Sequence, residues 1–446
     1  MIIFGLISLL VLHLLILTHL QFTSWPEMFS YPYLLNNGFS LYKDIALPYQ
    51  PLLMLILSVV YKIFGYNLLT LQIFAWMLIL LSDILIFLIS KKILGFKLSN
   101  LAPVLLMVLI TPIASGNTLW FDLATIPFIL LAFLASLYNK FLFMGFFFAA
   151  AFYIKQQTGL AILFLSIYFL FSKRFKDLFG FILGFLALSL LVLAYIIYNG
   201  IFQDYLFWTI LVPLYWYPKL PGYASLPSPS QLITTTLIFL PGLVLAIKDL
   251  KKSQENMKVI FISFLGLFLV AFPRFEYFRV QPAFAAFFVL AAYVFKKEHI
   301  KIVLLPFLLA IVILVRGNIK TFNLPARFYG PEEMKLAEGI NKEAKPGDKI
   351  YLIGVPSIEY ILTNHLPAKP WVDIYVWYLE IEGLQEKIIK GLDLEKPQVV
   401  FWKTPIPGNW YDLGTYQPKM IVEYIRNNYQ KTGNLNEDIE IWKRRD

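Results

Sequence analysis

QFTSWPEMFSYPYLLNNGFSLYKDIALPYQPLLMLILSVVYKIFG, residues 21–65, is the stretch that decides the fold. It stands between one hydrophobic span, residues 2–20, and a long series of others. Pro26, Pro32, Pro48 and Pro51 break it into short pieces, and Glu27, Lys43 and Asp44 charge it, so it is too polar and too punctuated to cross a bilayer. Its aromatic residues and its amphipathic end place it on the membrane surface rather than free in water.

Composition sets the class. The chain is 59% hydrophobic and 15% charged, with a mean hydropathy of +0.68, whereas soluble domains carry about one charged residue in four. This is the composition of a polytopic membrane protein. The net charge of +10 does not point to nucleic acid, because most Lys and Arg stand in short clusters between apolar spans, where orientation in the bilayer explains them. Cysteine is absent, which excludes disulfides and thiolate metal sites. The first span has no basic leader and no small-residue cleavage site before Trp25, so it reads as a retained helix.

Outward from the opening stretch, apolar spans follow at 68–90, 98–113, 119–137, 141–154, 159–172, 178–198, 232–247, 259–271, 282–295 and 300–315. With 2–20 they make eleven crossings. Basic clusters separate them: Lys91, Lys92 and Lys97; Lys140; Lys173, Arg174 and Lys176; Lys248, Lys251, Lys252 and Lys258; Lys296, Lys297 and Lys301. All fall on one side if the N-terminus is cytoplasmic. That requires residues 51–64 to lie in the outer interface, since counting them as a crossing would turn every later cluster outward; at about 14 residues the run is also short for a span.

The spacing predicts two domains, a membrane domain at 1–317 with a first outer loop at 21–67, and a small outward α/β domain at 318–446. In the latter, PEEMKLAEGINKEA reads as an amphipathic helix, GDKIYLIG as a turn into a buried strand and PSIEYILTN as another helix. LQEKIIKGLDLEKPQVVFWKT gives helix, break and strand, MIVEYIRNNYQKT a helix, and DIEIWKRR a last strand. No nucleotide-binding glycine motif appears.

Several phrases carry a family resemblance: WPE with Glu27, NNGFSLYKDI followed by PYQPLL, FG at Phe64 and Gly65, NTLWFDLATIP with Asp122, IKQQTG at 154–159 and PRFEYFRVQP at 273–282. In order and spacing the chain resembles the GT-C superfamily of integral-membrane glycosyltransferases, in the branch of the protein O-mannosyltransferases and lipid A aminoarabinose transferases. The resemblance implies transfer of a monosaccharide from a polyprenyl-phosphate carrier to a glycan, lipid or protein acceptor at the outer face of the cytoplasmic membrane. Such a displacement needs a carboxylate to receive the acceptor proton and cations to hold the leaving phosphate.

The resemblance makes Glu27 the catalytic carboxylate, although a lone loop Glu is ordinarily a solvated charge; family members often carry Asp or paired acids there. Asp122 reads either as a cap on its own helix or as a second catalytic carboxylate orienting acceptor or metal. Lys155 and Gln156, with Gln157 beside them, interrupt two apolar spans on the outer side and read as carrier-phosphate ligands, or as a snorkelling lysine with its neighbours. Arg274 and Arg279 suit phosphate, with an Arg274–Glu276 pair as the plainer alternative. Tyr277 follows Glu276 where relatives commonly place His-Tyr, and joins the substrate-binding set with Lys43 and Asp44. Asp83, deep in an apolar span, reads as structural. Tyr205, Phe207, Trp208, Tyr215, Trp216, Tyr217 and Tyr223 read chiefly as interfacial anchors. His13, His19, His299 and His365 offer no metal-ligand spacing; a divalent metal is the one cofactor the pattern leaves open. A non-enzymatic lipid-sugar flippase would share crossings and basic loops without needing Glu27. A secondary transporter would show paired repeats, which are not evident.

Overall fold

The computed structural model describes residues 1–250, 255–295, 300–373, 376–409 and 414–445. From the N-terminus come α1 (Ile2–His19), β1 (Phe22–Thr23), α2 (Glu27–Asn36), α3 (Leu52–Phe64), α4 (Leu68–Leu94), α5 (Leu101–Ser115), β2 (Asn117–Thr118), α6 (Phe121–Leu137), α7 (Phe141–Ile154), α8 (Gly159–Phe171) and α9 (Phe175–Tyr198). Then run α10 (Phe202–Leu206), a π-helical stretch at Phe207–Trp216, α11 (Pro229–Leu250), α12 (Glu255–Leu269), α13 (Gln281–Phe295) and α14 (Ile300–Asn318). The tail holds α15 (Pro331–Glu343), β3 (Ile350–Ile353), α16 (Glu359–Leu362), α17 (Val376–Leu379), α18 (Leu384–Glu395), β4 (Val399–Lys403), α19 (Lys419–Asn428), β5 (Tyr429–Asn434) and β6 (Ile439–Arg444). Lys251, Lys252, Lys296, Lys297 and His299, which enter the topology and metal readings, lie outside the described residues.

The chain gathers into two compact units, one of Met1–Thr23, Leu71–Ala194 and Ser225–Pro325, the other of Ser24–Thr70, Tyr195–Ala224 and Ala326–Asp446. The sequence places a single boundary at 317/318; the compact units instead assign the first loop and the aromatic 195–224 segment to the same body as the tail. Hydrogen bonds give the reason. Both the N–H and the hydroxyl of Ser24 donate to Arg327 O, at 3.1 and 2.6 Å, and Trp371 N–H donates to Asp44 O at 2.8 Å.

The first unit is a helix bundle in which each expected span overlaps one helix. Among the described residues α1, α4 and α9 are long and apolar enough to cross a membrane, and shorter apolar helices accompany them. Close approach of α7 and α9 rests on glycine: a Cβ on Gly145 would stand 1.9 Å from Phe181 O, and one on Gly184 1.8 Å from Leu142 O, a small-residue contact suited to helices packing in lipid. Asn117 ties the ends of three elements together. Its Nδ2 donates to Leu17 O and Leu20 O at 2.7 and 2.9 Å, meeting carbonyls left open where α1 ends, and its Oδ1 accepts from Trp76 Nε1 at 2.9 Å.

Asp83 has a partner that the spacing alone does not reveal. His13 Nδ1 and Asp83 Oδ2 are 2.6 Å apart, both side chains fully buried between α1 and α4. Removing one member of a buried pair strands the other in an apolar medium, whereas removing both does not. Asp83→Leu is therefore expected to destabilise by about 3–5 kcal/mol, and the His13→Leu/Asp83→Leu double variant to regain most of it. Thermal melting in detergent measures this; a double variant as unstable as the single would show the two are not coupled.

In the second unit the strand order is β3-β4-β6-β5, with β3 and β4 parallel and the remaining pairs antiparallel. Amphipathic helices bury one stripe each, as in α19 through Ile421, Val422 and Ile425. The expected helix at MIVEYIRNNYQKT stops at Asn428, because the two asparagines are poor helix formers and Tyr429 onward pairs with β6. PSIEYILTN forms only the short α16, closed by Asn364 at φ 55°. Residues 51–64 become α3, with Leu53, Met54, Leu57, Ser58 and Tyr61 buried; Asn36 Nδ2 on α2 donates to Ser58 O at 2.9 Å. The aromatic segment is more than a membrane anchor: Trp208 and Tyr217 are buried, Trp208 lies edge-on to Tyr378 at 6.0 Å, and Tyr217 stacks on Tyr223 at 4.4 Å.

Candidate functional site

In the bundle, a three-residue connection, Tyr138–Lys140, makes α6 and α7 antiparallel neighbours, so the start of α6 and the end of α7 lie at one end. Trp120, extended at φ −143°, opens α6, and Asp122 is its second residue. At the other strand of this hairpin Lys155 closes α7, its N–H donating to Ala151 O at 2.9 Å, before a tight turn at Gln156–Thr158 begins α8. Thr158 Oγ1 donates to Lys155 O at 3.0 Å and fixes that turn. The result is an ion pair, Lys155 Nζ to Asp122 Oδ1 at 2.5 Å, with 1% and 0% of the two side chains exposed.

Asp122 is thus not a cap for its own helix. It stands in the first turn of α6, and its second oxygen, Oδ2, is buried with no hydrogen-bond partner. Arg279 arrives from the turn Tyr277–Val280 ahead of α13, where it acts electrostatically on Lys155 and lies 5.7 Å from the Phe278 ring; that ring in turn meets Trp120 edge-on at 6.2 Å. Gln281 begins α13, 3% exposed, with Oε1 lacking a hydrogen-bond partner, as does Oε1 of Gln157. Burial pulls the Lys155 ammonium down to about 8; Asp122 opposes the shift and the Arg279 charge adds to it. Lys155, Asp122 and Arg279 thus act on one another at this end of the hairpin.

The structure separates other members of the expected set. Arg274 is paired with Glu276, Nε to Oε1 at 3.3 Å, and its segment is held to Ser225 through Phe275 N–H at 2.7 Å. That supports the plainer alternative for Arg274. Tyr277 shares the Arg279 turn and hydrogen-bonds Thr234.

In the second unit Glu27 opens α2 after Trp25-Pro26 and is 3% exposed, which overturns its reading as a solvated loop charge. The helix that carries it is clamped along its length. Phe29 meets the Tyr329 ring at 5.4 Å, the Ser357 hydroxyl donates to Ser30 Oγ at 3.2 Å, and Tyr33 OH donates to Asn364 Oδ1 at 3.1 Å. Asp44 is engaged structurally, accepting from Ser40 N–H at 2.9 Å and pairing with Lys369 at 3.5 Å, while Lys43 is exposed. Sequence reasoning missed Glu359, whose two oxygens are buried without hydrogen-bond partners; burial, reinforced by Glu333, raises its carboxyl to about 9, so it is neutral at pH 7. Among the described residues no three His, Asp or Glu side chains gather as a metal-binding group.

No family model matches the chain, and no curated protein matches it in sequence. Solved structures do. The crystal structure of ArnT from Cupriavidus metallidurans bound to undecaprenyl phosphate aligns with a TM-score of 0.61 at 10% identity, covering 99% of this chain and 97% of that one. The apo form aligns over the same shares at 0.59. From end to end, this chain has the fold of ArnT.

Proposed function

We propose that the chain is a multi-pass enzyme of the cytoplasmic membrane that moves a monosaccharide from a polyprenyl-phosphate carrier to an acceptor on the outer face, inverting the anomeric carbon. The observation that carries this reading is the buried Lys155–Asp122 pair with Arg279 acting on it. Lys155 and Arg279 put an ammonium and a guanidinium at this helix end, groups whose chemistry suits a lipid phosphate. The likeness in fold to ArnT, solved with undecaprenyl phosphate, supports the same class of carrier.

In the proposed step the acceptor oxygen bonds to the anomeric carbon as the bond from that carbon to the phosphate oxygen breaks. The electron pair leaves with the phosphate, which Lys155 and Arg279 stabilise, and the acceptor proton passes to Glu27. Asp122 acts through Lys155 as a positioning residue, while Gln156 and Gln157 flank the phosphate. Tyr277 and Lys43 contact substrate; Arg274 and Asp44 support their segments. Eleven crossings, with the N-terminus cytoplasmic and 318–446 outside, complete the reading.

A pH test follows from Lys155. Below about 8 its ammonium is charged and attracts phosphate; above that value the free protein loses the charge while the complex retains it, so binding must take up a proton. Affinity for polyprenyl phosphate is therefore expected to fall by up to about ten-fold per pH unit above about 8. Lys155→Arg should remove the decline, because guanidinium stays charged. Binding titrations in detergent from pH 6 to pH 10 decide it; affinity flat across the range in the wild type would take Lys155 out of the phosphate site.

A further inference from the structure

At the other end of the same bundle lies a cavity of about 680 Å³. Chain continuity fixes its place. Asn139, on its wall, precedes α7, whereas Lys155 follows it, and a helix of 14 residues at about 1.5 Å per residue holds those ends about 21 Å apart. Ser172 and Glu255, also on the wall, lie past the end of α8 and at the start of α12.

The lining is polar and cationic. Arg174 sits between the Phe141 and Phe169 rings, its guanidinium carbon 5.2 Å from each, and Nε donates to Asp177 Oδ2 at 2.7 Å. Its Nη1 is buried with no hydrogen-bond acceptor and stands 3.6 Å from Glu255 Oε2. Lys258 Nζ donates to Glu255 Oε1 at 2.5 Å, and Tyr168 OH to Oε2 at 2.5 Å. Two carboxylates, Asp177 and Glu255, therefore serve two cations and a phenol, and Nη1 of the guanidinium is left without a hydrogen-bond acceptor. Charge in the adjoining turns leans the same way. Lys140, Lys173 and Lys176 are exposed there, and Lys92 Nζ lies 4.2 Å from the Tyr138 ring.

Beside these cations, the chain exposes large apolar groups. Phe171 and Phe175, which bracket Ser172–Arg174, are 82% and 59% exposed, and Tyr138, next to Asn139, is 54% exposed. A free inorganic anion would leave those surfaces uncovered; a lipid covers them with acyl chain while its phosphate meets the cations. We infer that this cavity binds the phosphate headgroup of an anionic phospholipid, at a second lipid site distinct from the Lys155 cluster. Arg174 meets the phosphate through the Nη1 arm that lacks an acceptor, Lys258 adds a point charge, and Asn139 and Asn256 supply amide hydrogen bonds to headgroup oxygens. The site stands whether or not the chain transfers sugar.

The test uses the full-length protein, delipidated in detergent and offered equal phosphatidylglycerol and phosphatidylcholine, with retained lipid counted by native mass spectrometry. The wild type is expected to favour phosphatidylglycerol. Arg174→Gln and Lys258→Gln should each cut that preference about five-fold, while Lys335→Gln, an exposed lysine on α15 in the second unit, should leave it unchanged. Because the readout is a ratio within each variant, a loosened fold that loses both lipids alike does not imitate the result. Equal retention of the two lipids, a preference indifferent to both substitutions, or loss of the preference in millimolar inorganic phosphate would each overturn the assignment, the last by showing a soluble-anion site.

Discussion

Lys155→Ala is expected to lower sugar release from a polyprenyl-phosphate donor by about 100- to 1,000-fold, the usual cost of deleting one preorganised group that stabilises transition-state charge. The pair geometry makes the effect separable from simple unfolding. Removing Lys155 strands Asp122, which is 0% exposed, and uncompensated buried charge destabilises strongly. Lys155→Met with Asp122→Leu removes both charges and should restore melting without restoring activity. Lys155→Arg keeps a cation and should retain most of the rate. If the double variant recovers both stability and sugar release, the pair serves the fold alone.

Glu27→Gln is expected to reduce turnover by about 100- to 10,000-fold with little change in melting, the range for loss of a general base. The substitution conserves volume at a residue that is 3% exposed on a helix clamped by Ser357 and Asn364, so packing survives while the proton acceptor is lost. Glu27→Asp should keep partial activity. Single-turnover rates measured at saturating donor separate this from weaker binding: turnover falls while donor affinity holds. A Glu27→Gln protein with wild-type turnover would move the base to another carboxylate.

Much of the bundle is legible in the sequence because apolar length and lysine spacing are local signals. The break at 21–65 is likewise visible in its prolines and charges, and α3 is found in the unit that holds the tail rather than among the bundle helices. Long-range pairing is what escapes. Asp122 and Lys155 stand 33 residues apart and look like separate curiosities until α6 and α7 are folded back on each other. The signal was available: an acid at the start of one span and a base just past the end of the next share one end of a hairpin. His13 and Asp83, 70 residues apart, follow the same logic, since two ionisable groups in apolar spans each need a partner. Arg274 and Arg279 could not be told apart by composition; folding places Arg274 beside Glu276 and Arg279 where its charge acts on Lys155. Trp208 and Tyr217 carry the composition of an interfacial belt, yet the second unit buries them as core.

Fold alone does not distinguish a transferase from a protein that carries lipid-linked sugars across the bilayer. The most direct measurement is donor consumption: purified protein is incubated with radiolabelled polyprenyl-phosphate sugars and a panel of glycan, lipid and peptide acceptors, and free polyprenyl phosphate is quantified. Wild-type protein should convert donor to polyprenyl phosphate and an acceptor product of inverted anomeric configuration, and Glu27→Gln should not. Intact donor recovered across the whole panel, together with protein-dependent movement of that donor between leaflets of vesicles, would contradict the enzyme and establish a flippase.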